Sequence, residues 1–315
     1  MFTINKIQEA ALRISPYIKN TPILTSSTLN KITGADLYFK CENFQKTGSF
    51  KFRGACNAVF SLPPNRMQYG VATHSSGNHG AALALASQLR GIPAYVVMPN
   101  NSAEIKKIAV SGYGAKITLC EPPLTIRKTI LDEVVRETGA AMIHPCENEQ
   151  VIYGQGTAAL ELLLENGDLD IVIVPIGGGG LISGTAIAVK ALSSKTKIIG
   201  AEPEAANDAY LSFKSKQLMP SSSPTSTICD SLSASLEKTP FSIILEHVDN
   251  IYTVSENAII DATHYLWERM KIIVEPSAAI TMAVILERAS IFKDKKIGVI
   301  LSGGNVDIKK LVTYF

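Results

Sequence analysis

From about residue 70 onward, short continuous runs of β-branched and apolar residues take turns with helical stretches, and this alternation limits the chain more than any other feature. Segments 71–73, 94–98, 116–120 and 141–143 read as strands, separated by helices over 78–89, 102–111 and 124–137. A second series follows His144-Pro145: helix 155–165, strand 171–174, helix 181–192, strands 197–200 and 251–254, helices 256–270 and 276–289, and strand 297–301. Strands that are apolar on both faces need cover on both faces, so the pattern predicts an α/β fold of two open, twisted, mostly parallel sheets flanked by helices. The smaller module, residues 70–147, reads as a mobile domain inserted in a large domain of residues 1–69 and 148–315. Segment 217–240, rich in Ser, Pro and Thr, is the one long irregular stretch, and stretches of that length are usually functional or flexible.

Before the alternation, residues 4–18 place apolar side chains at helical spacing, and strand 37–41 leads into Thr47-Gly48-Ser49-Phe50-Lys51-Phe52-Arg53-Gly54. A helical run over 55–61 follows. Phe50 and Phe52 flank the lysine, which a solvated helix face would not do. An amine kept among aromatic rings loses hydration of its charged form and becomes a usable nucleophile.

Three loops follow strands, where open parallel sheets gather their ligands. Ser75-Ser76-Gly77-Asn78-His79-Gly80 runs into a helix and offers amides and hydroxyls to a carboxylate. Gly177-Gly178-Gly179-Gly180-Leu181 opens another helix, and four glycines let backbone amides close on a phosphate. No Gly-Lys-Ser/Thr follows, and Ile182 stands where a dinucleotide fingerprint needs glycine, so the phosphate belongs to a smaller cofactor. Ser302-Gly303-Gly304-Asn305 brings a hydroxyl to the same edge. A lysine nucleophile, a phosphate cup and a carboxylate loop have one joint explanation: pyridoxal 5′-phosphate (PLP) held as a Schiff base and acting on an amino acid.

Other functions find little support. The formal net charge is +2, with no basic stripe for nucleic acid or anionic membrane, and Lys106, Lys107 and the later lysine pairs read as scattered surface charge. No apolar run approaches the roughly 20 residues of a membrane span. Five spread cysteines without a C-x-x-C pair, and an N-terminus lacking secretory or transit patterns, lead us to expect a reducing compartment, the cytoplasm.

Ser49-Phe50-Lys51-x-Arg53-Gly54, the Ser75–Gly80 run, Gly177–Gly180 and Ser302–Asn305 together resemble the tryptophan-synthase-β-like (fold type II) PLP enzymes, with similarity running nearly end to end. Within that group the chain is most similar to the serine racemases and serine/threonine dehydratases. The resemblance implies PLP between the two domains, Schiff-based on Lys51, packed by Phe50, hydrogen-bonded by Asn78, held at its phosphate by Gly177, Gly178, Gly179, Gly180 and Leu181, and facing Ser302 with its pyridine nitrogen. Ser75, Ser76, Asn78 and His79 would bind the substrate carboxylate, and Lys51 and Ser76 would act as acid and base on opposite faces of Cα. Arg127 corresponds to an arginine near the substrate side chain and suits an acidic one such as that of L-threo-3-hydroxyaspartate. Glu202, the Ala206 carbonyl and Asp208 match a divalent-cation site for Mg²⁺ or Ca²⁺. A homodimer is implied, with ATP as an effector in animal serine racemases. Two departures stand out: Ser231 follows Asp230 where the family has glycine, and Ala81 replaces a glutamine that contacts the nucleotide. The implied activity is serine racemisation with serine/threonine dehydration. The alternatives are an L-threo-3-hydroxyaspartate ammonia-lyase or a degradative threonine dehydratase without racemase activity and, in a different class, a non-catalytic PLP/phosphate-ligand sensor.

Overall fold

The computed structural model describes residues 2–221 and 226–311, so part of the expected irregular stretch, residues 222–225, lies outside the described residues. One sheet has the order β1-β2-β10-β7-β8-β9, with β1 Ile23–Leu24, β2 Asp36–Cys41, β7 Ile171–Pro175, β8 Lys197–Pro203, β9 Asn250–Val254 and β10 Lys296–Leu301. Only the β1–β2 pairing is antiparallel there. The other sheet is wholly parallel, in the order β5-β4-β3-β6, with β3 Val71–His74, β4 Ala94–Pro99, β5 Lys116–Cys120 and β6 Ala141–Met142.

The apolar runs lack polar alternation because both strand faces are covered. Along β10, Val299 joins a core with helix Pro276–Glu287, whereas the next residue, Ile300, joins one with helices Glu149–Asn166 and Gly180–Leu192. In the smaller sheet Val71 and Ala72 divide in the same way between two clusters. Consecutive side chains point to opposite faces, so each run feeds two cores at once.

Some boundaries differ from the periodicity. The lysine helix spans Lys51–Phe60, which makes Lys51 its first residue. Helix Glu149–Asn166 begins well before residue 155, where the Asn148 side chain accepts the amides of Gln150 and Val151 at 2.9 and 3.2 Å. Helices Asp208–Ser215 and Lys238–His247 were not foreseen, the latter starting inside the expected irregular stretch. The helix expected over 256–270 changes to π geometry at Leu266 and closes on Lys271 at φ 59°.

Helix Glu149–Asn166 meets two neighbours at backbone contact. A Cβ on Gly154 would lie 2.6 Å from Gly54 Cα in the lysine helix. One on Gly184, in helix Gly180–Leu192, would lie 2.4 Å from the Ile152 carbonyl oxygen and 2.5 Å from the Gly156 nitrogen. No side chain fits between these helices.

Beneath the lysine helix lies a buried ionic cluster. Arg53 donates to both oxygens of Glu42 (2.8 and 2.9 Å) and of Glu161 (2.6 and 2.7 Å), and Lys40 adds a 2.7 Å contact to Glu161. Two cations and two carboxylates balance, and Thr21 supplies a further donor to Glu42 at 2.6 Å. We expect Arg53→Ala, which strands the buried Glu42 carboxylate without a cation and leaves Glu161 to Lys40 alone, to lower the unfolding free energy in urea titrations by about 3–5 kcal/mol.

Candidate active site

The lysine turn is fixed to the end of β10. The Phe50 amide donates to the Ser302 carbonyl at 3.0 Å, and Ser49 bridges Gly303. Gly48 adopts φ 72° and leaves room for Asn305, whose Oδ1 would lie 2.3 Å from an added Cβ. Half-buried Lys51 holds its amine 5.0 Å from the centroid of the Phe50 ring. Its charge contributes to the depressed pKa values of His79 and His144 and acts on the Cys146 thiol. That thiol is pushed up by burial first, and it receives the Gly180 amide. Cys146 therefore adjoins the glycine loop and lies within range of the Lys51 charge.

Gly177–Gly180 follow β7 and press on protein rather than on open space. A Cβ on Gly178 would lie 2.4 Å from Cys146 Sγ, and one on Gly177 would lie 3.0 Å from Leu232 Cα. Gly179, at φ 87°, begins helix Gly180–Leu192 without any side-chain cap, and Leu181 is buried in its first turn. The first-turn amides of an uncapped helix, with its dipole, form an anion site. Ser49 Oγ, in the lysine turn, is buried and unpartnered. An amine opposite an uncapped helix end, with a spare buried hydroxyl, fits a phosphate-bearing aldehyde cofactor. Ser302 is buried at the end of β10.

At the end of β3, Ser75 Oγ accepts the amides of Gly77 and Gly80 at 3.1 and 3.0 Å, which shapes the turn into helix Asn78–Arg90. Ser76 is exposed on that turn. His79 points elsewhere: its ring is buried, with Nε2 3.4 Å from the Ile143 carbonyl, and burial followed by the Lys51 charge holds its pKa well below normal. The imidazole is thus buried behind the turn, whereas the His79 amide belongs to the first turn of the helix. Asn78 is anchored from several sides. Its Nδ2 donates to Glu275 at 3.1 and 3.2 Å and to Ser231 at 3.2 Å, and its Oδ1 accepts from Asn305 at 3.1 Å.

Lys106 corrects an expectation. It is no surface charge but is only 7% exposed, ion-paired to Asp230 with its stem packed on Gly77. The signal was present, since Lys106 shares a helix face with buried Val110 one turn on. Lys106 also faces Glu275, and burial raises that carboxyl to about 7 despite the opposing pull of Lys106.

His144 follows β6, and its Nδ1 accepts the amides of Cys146 (3.3 Å) and Glu147 (3.1 Å). Nε2 therefore carries the proton of the neutral ring and faces Glu237 Oε1 at 3.5 Å. That tautomer offers no lone pair to a cation, although His144, Glu147 and Glu237 place ligand atoms within 4.8 Å of one another. Nothing in the spacing of these residues, or of Cys146, marked them beforehand.

Arg127 lies half-buried in the first turn of helix Leu124–Thr138, and its charge acts on His74. Glu202, near the end of β8, lies beside Asp208, which follows the strand with Ala206. Glu202 accepts the amides of Ala209 (2.9 Å) and Tyr210 (2.7 Å), and Asp208 accepts that of Leu236 (2.7 Å). Burial chiefly, with Asp208 beside it, raises Glu202 to about 8. A separate cavity of about 300 Å³ is lined by Thr47, Asn78, Ala81, Lys106, Tyr113 and Asn305.

Glu275 yields a pH prediction. Its folded pKa of about 7 lies above the ordinary 4.5, so it holds its proton more tightly when folded. The stability it contributes is complete below pH 4.5 and is lost as the pH rises through about 7. Denaturant titrations across that window should show wild-type stability falling relative to Glu275→Gln; parallel curves would contradict the assignment.

Residues 14–303 match the family described as pyridoxal-phosphate dependent enzyme. Serine racemase of Dictyostelium discoideum is 47% identical over 314 residues, covering 98% of this chain and 96% of that protein. The beta-hydroxyaspartate dehydratase of Paracoccus denitrificans is 48% identical over 299 residues, 95% of each. The solved structure of maize serine racemase, 42% identical, superposes with a TM-score of 0.95 and covers 99% of this chain and 96% of that one.

Proposed function

The chain belongs to the pyridoxal-phosphate dependent enzyme family, and on that premise we propose that it racemises serine and also eliminates water from serine and threonine. The observation that carries this reading is that the charge of Lys51, at the head of its own helix, and the loop of four glycines that opens helix Gly180–Leu192 both reach Cys146. Lys51 would hold the cofactor, with Phe50 beside its ring, the amides from Gly177 to Leu181 on its phosphate, Asn78 at its oxygen and Ser302 at its pyridine nitrogen. When bound, PLP supplies an electron-withdrawing ring that acidifies the Cα–H of an amino acid joined to it.

The chain's own groups do the rest. The Ser75 turn and the amides of Asn78 and His79 orient the substrate carboxylate. Lys51 removes the Cα proton on one face and Ser76 returns one on the other, which inverts the centre. Where the β-hydroxyl leaves first, water is lost. The released enamine takes that water back on hydrolysis and gives a keto acid and ammonia. Ser231, where relatives of this kind carry glycine, adds a hydroxyl 3.2 Å from Asn78. The intact Lys51 and Ser76 speak against a sensor that merely reuses the fold.

Residues 70–147 act in this reading as a small domain closing on the rest, since the Lys106–Asp230 and Asn78–Glu275 contacts join the two parts. A homodimer in the cytoplasm completes it. The described cysteines are free and buried, which suits a reducing compartment, and no helix among the described residues is long and apolar enough to cross a membrane. ATP as effector would use the cavity at Ala81, where the shorter side chain weakens the case.

Glu202 and Asp208, with the Ala206 carbonyl, would hold Mg²⁺ or Ca²⁺. Hard oxygen donors suit either ion, and a cation would relieve the cost of burying two carboxylates together. Because Asp208 also accepts the Leu236 amide, the ion would brace the segment leading to Ser231. Calcium or magnesium at millimolar concentration should raise the melting temperature of wild type and leave that of Glu202→Gln unmoved.

The deciding experiment measures D-serine and pyruvate in the same tubes from L-serine with PLP. Ser76→Ala should lose D-serine formation by about 10²–10⁴-fold, the span of general acid–base catalysis, while pyruvate persists. Lys51→Ala should lose both products. D-serine formation unaffected by Ser76→Ala would end the two-face reading.

A further inference from the structure

Asn78 gathers hydrogen bonds from elements on both sides of the cleft, and their directions decide where its two amide protons go. Asn305 Nδ2 donates to the Thr47 carbonyl at 2.6 Å and to Asn78 Oδ1 at 3.1 Å. A carbonyl only accepts, so the Asn305 nitrogen is fixed there, and the Asn78 oxygen is fixed in turn. Asn78 Nδ2 then points the other way, toward Glu275 Oε1 at 3.1 Å, Glu275 Oε2 at 3.2 Å and Ser231 Oγ at 3.2 Å. Three oxygens compete for two N–H groups.

Ser231 is held where it competes. Its amide donates to Ser277 Oγ at 3.2 Å, in the first turn of helix Pro276–Glu287. Its carbonyl oxygen would lie 3.3 Å from a Cβ on Gly177, and its neighbour Asp230 is ion-paired with Lys106. The Ser231 hydroxyl donates to Asp230 Oδ1 at 3.3 Å and acts on Glu275 as well. Its proton thus goes to a carboxylate, and its lone pairs turn to Asn78. The Ser231 backbone is not left-handed, so the chain path accepts other side chains there.

We propose that Ser231 is a positioning residue for the cofactor: by taking a share of the Asn78 amide protons, it weakens the hydrogen bond that Asn78 gives to the cofactor's ring oxygen. The inference rests on the function proposed above, which sets Asn78 at that oxygen. Without the hydroxyl, one N–H serves Glu275 and the other serves the ring oxygen. With it, the second N–H is divided. A ring oxygen with a weaker donor keeps more of its negative charge, and it holds more tightly the proton that it shares with the nitrogen joined to Lys51. The Ser231 hydroxyl therefore loosens the cofactor's seat and keeps that proton in place to higher pH. Lys51, Lys106, Asp230 and Glu275 are the charged groups around this point, with His79 held neutral by burial. All of them stay in each variant below, so a difference between variants reads the hydroxyl.

Two measurements that need no turnover test this. In equilibrium dialysis, Ser231→Ala should bind PLP about three- to tenfold more tightly than wild type, the gain from a hydrogen bond no longer shared, and Ser231→Thr should stay near wild type. The visible absorbance of the PLP-loaded protein is then titrated with pH. Its midpoint should fall by roughly half a unit in Ser231→Ala and return in Ser231→Thr, which keeps the hydroxyl. A hydroxyl that merely braces its segment gives the opposite sign, with looser PLP in Ser231→Ala and an unmoved midpoint. That pattern, or no difference at all, would overturn the proposal. If loaded wild type makes neither D-serine nor pyruvate while both shifts appear, the reaction proposed above fails and the positioning role stands.

Discussion

The buried contact of Arg53 with Glu42 and Glu161 is the constraint on which the site depends. Arg53 stands two residues after Lys51 on one helix and joins it to the end of β2 and to helix Glu149–Asn166. Apolar residues of similar volume would fill this space at no greater cost, since buried ion pairs seldom add net stability. What the cluster adds is orientation. A guanidinium fork meeting two carboxylates tolerates little rotation, so the first turn of the helix, and the amine it carries, can face only one way.

Around that fixed amine the site is built mostly from backbone. Helices Asn78–Arg90 and Gly180–Leu192 both start from a glycine that offers no capping side chain, so apart from the Gly80 amide taken by Ser75 and the Gly180 amide taken by Cys146 their first turns keep amides for an anion. The imidazoles nearby are kept neutral by burial, so formal positive charge stays with Lys51 and Arg127. The carboxylates of Asp230 and Glu275 are drawn off toward Lys106 instead of competing for the lysine nucleophile.

The fold was legible because strands covered on both faces write uninterrupted apolar runs, as in 171–174 and 297–301, and because glycine clusters follow them. What stayed hidden depends on partners far apart in sequence. Lys106 reads as a charge on a helix until Asp230 is placed beside it. Cys146 reads as one of five scattered thiols until the glycine loop folds against it. The early start of the lysine helix was missed because Lys51 and Arg53 interrupt its first turn with charge and its cover comes from helices Asn78–Arg90 and Glu149–Asn166, distant in sequence. His79 differs in kind. Its motif marks it as a binding residue, and the fold adds that the ring is turned toward Ile143 while the amide stays in the first turn of the helix.

The two backbone crossings of helix Glu149–Asn166 have a consequence for how such a chain can change. At Gly54–Gly154 and at Gly156–Gly184 the helices touch through peptide atoms alone. The span from the amine to the phosphate cup is then a stack of three polypeptide cylinders, a ruler graduated in atomic radii with no movable part. Residues lining the cleft, such as Ser231 or Arg127, can be exchanged without altering that length. Substrate range is free to drift while the gauge that accepts the cofactor keeps its calibration.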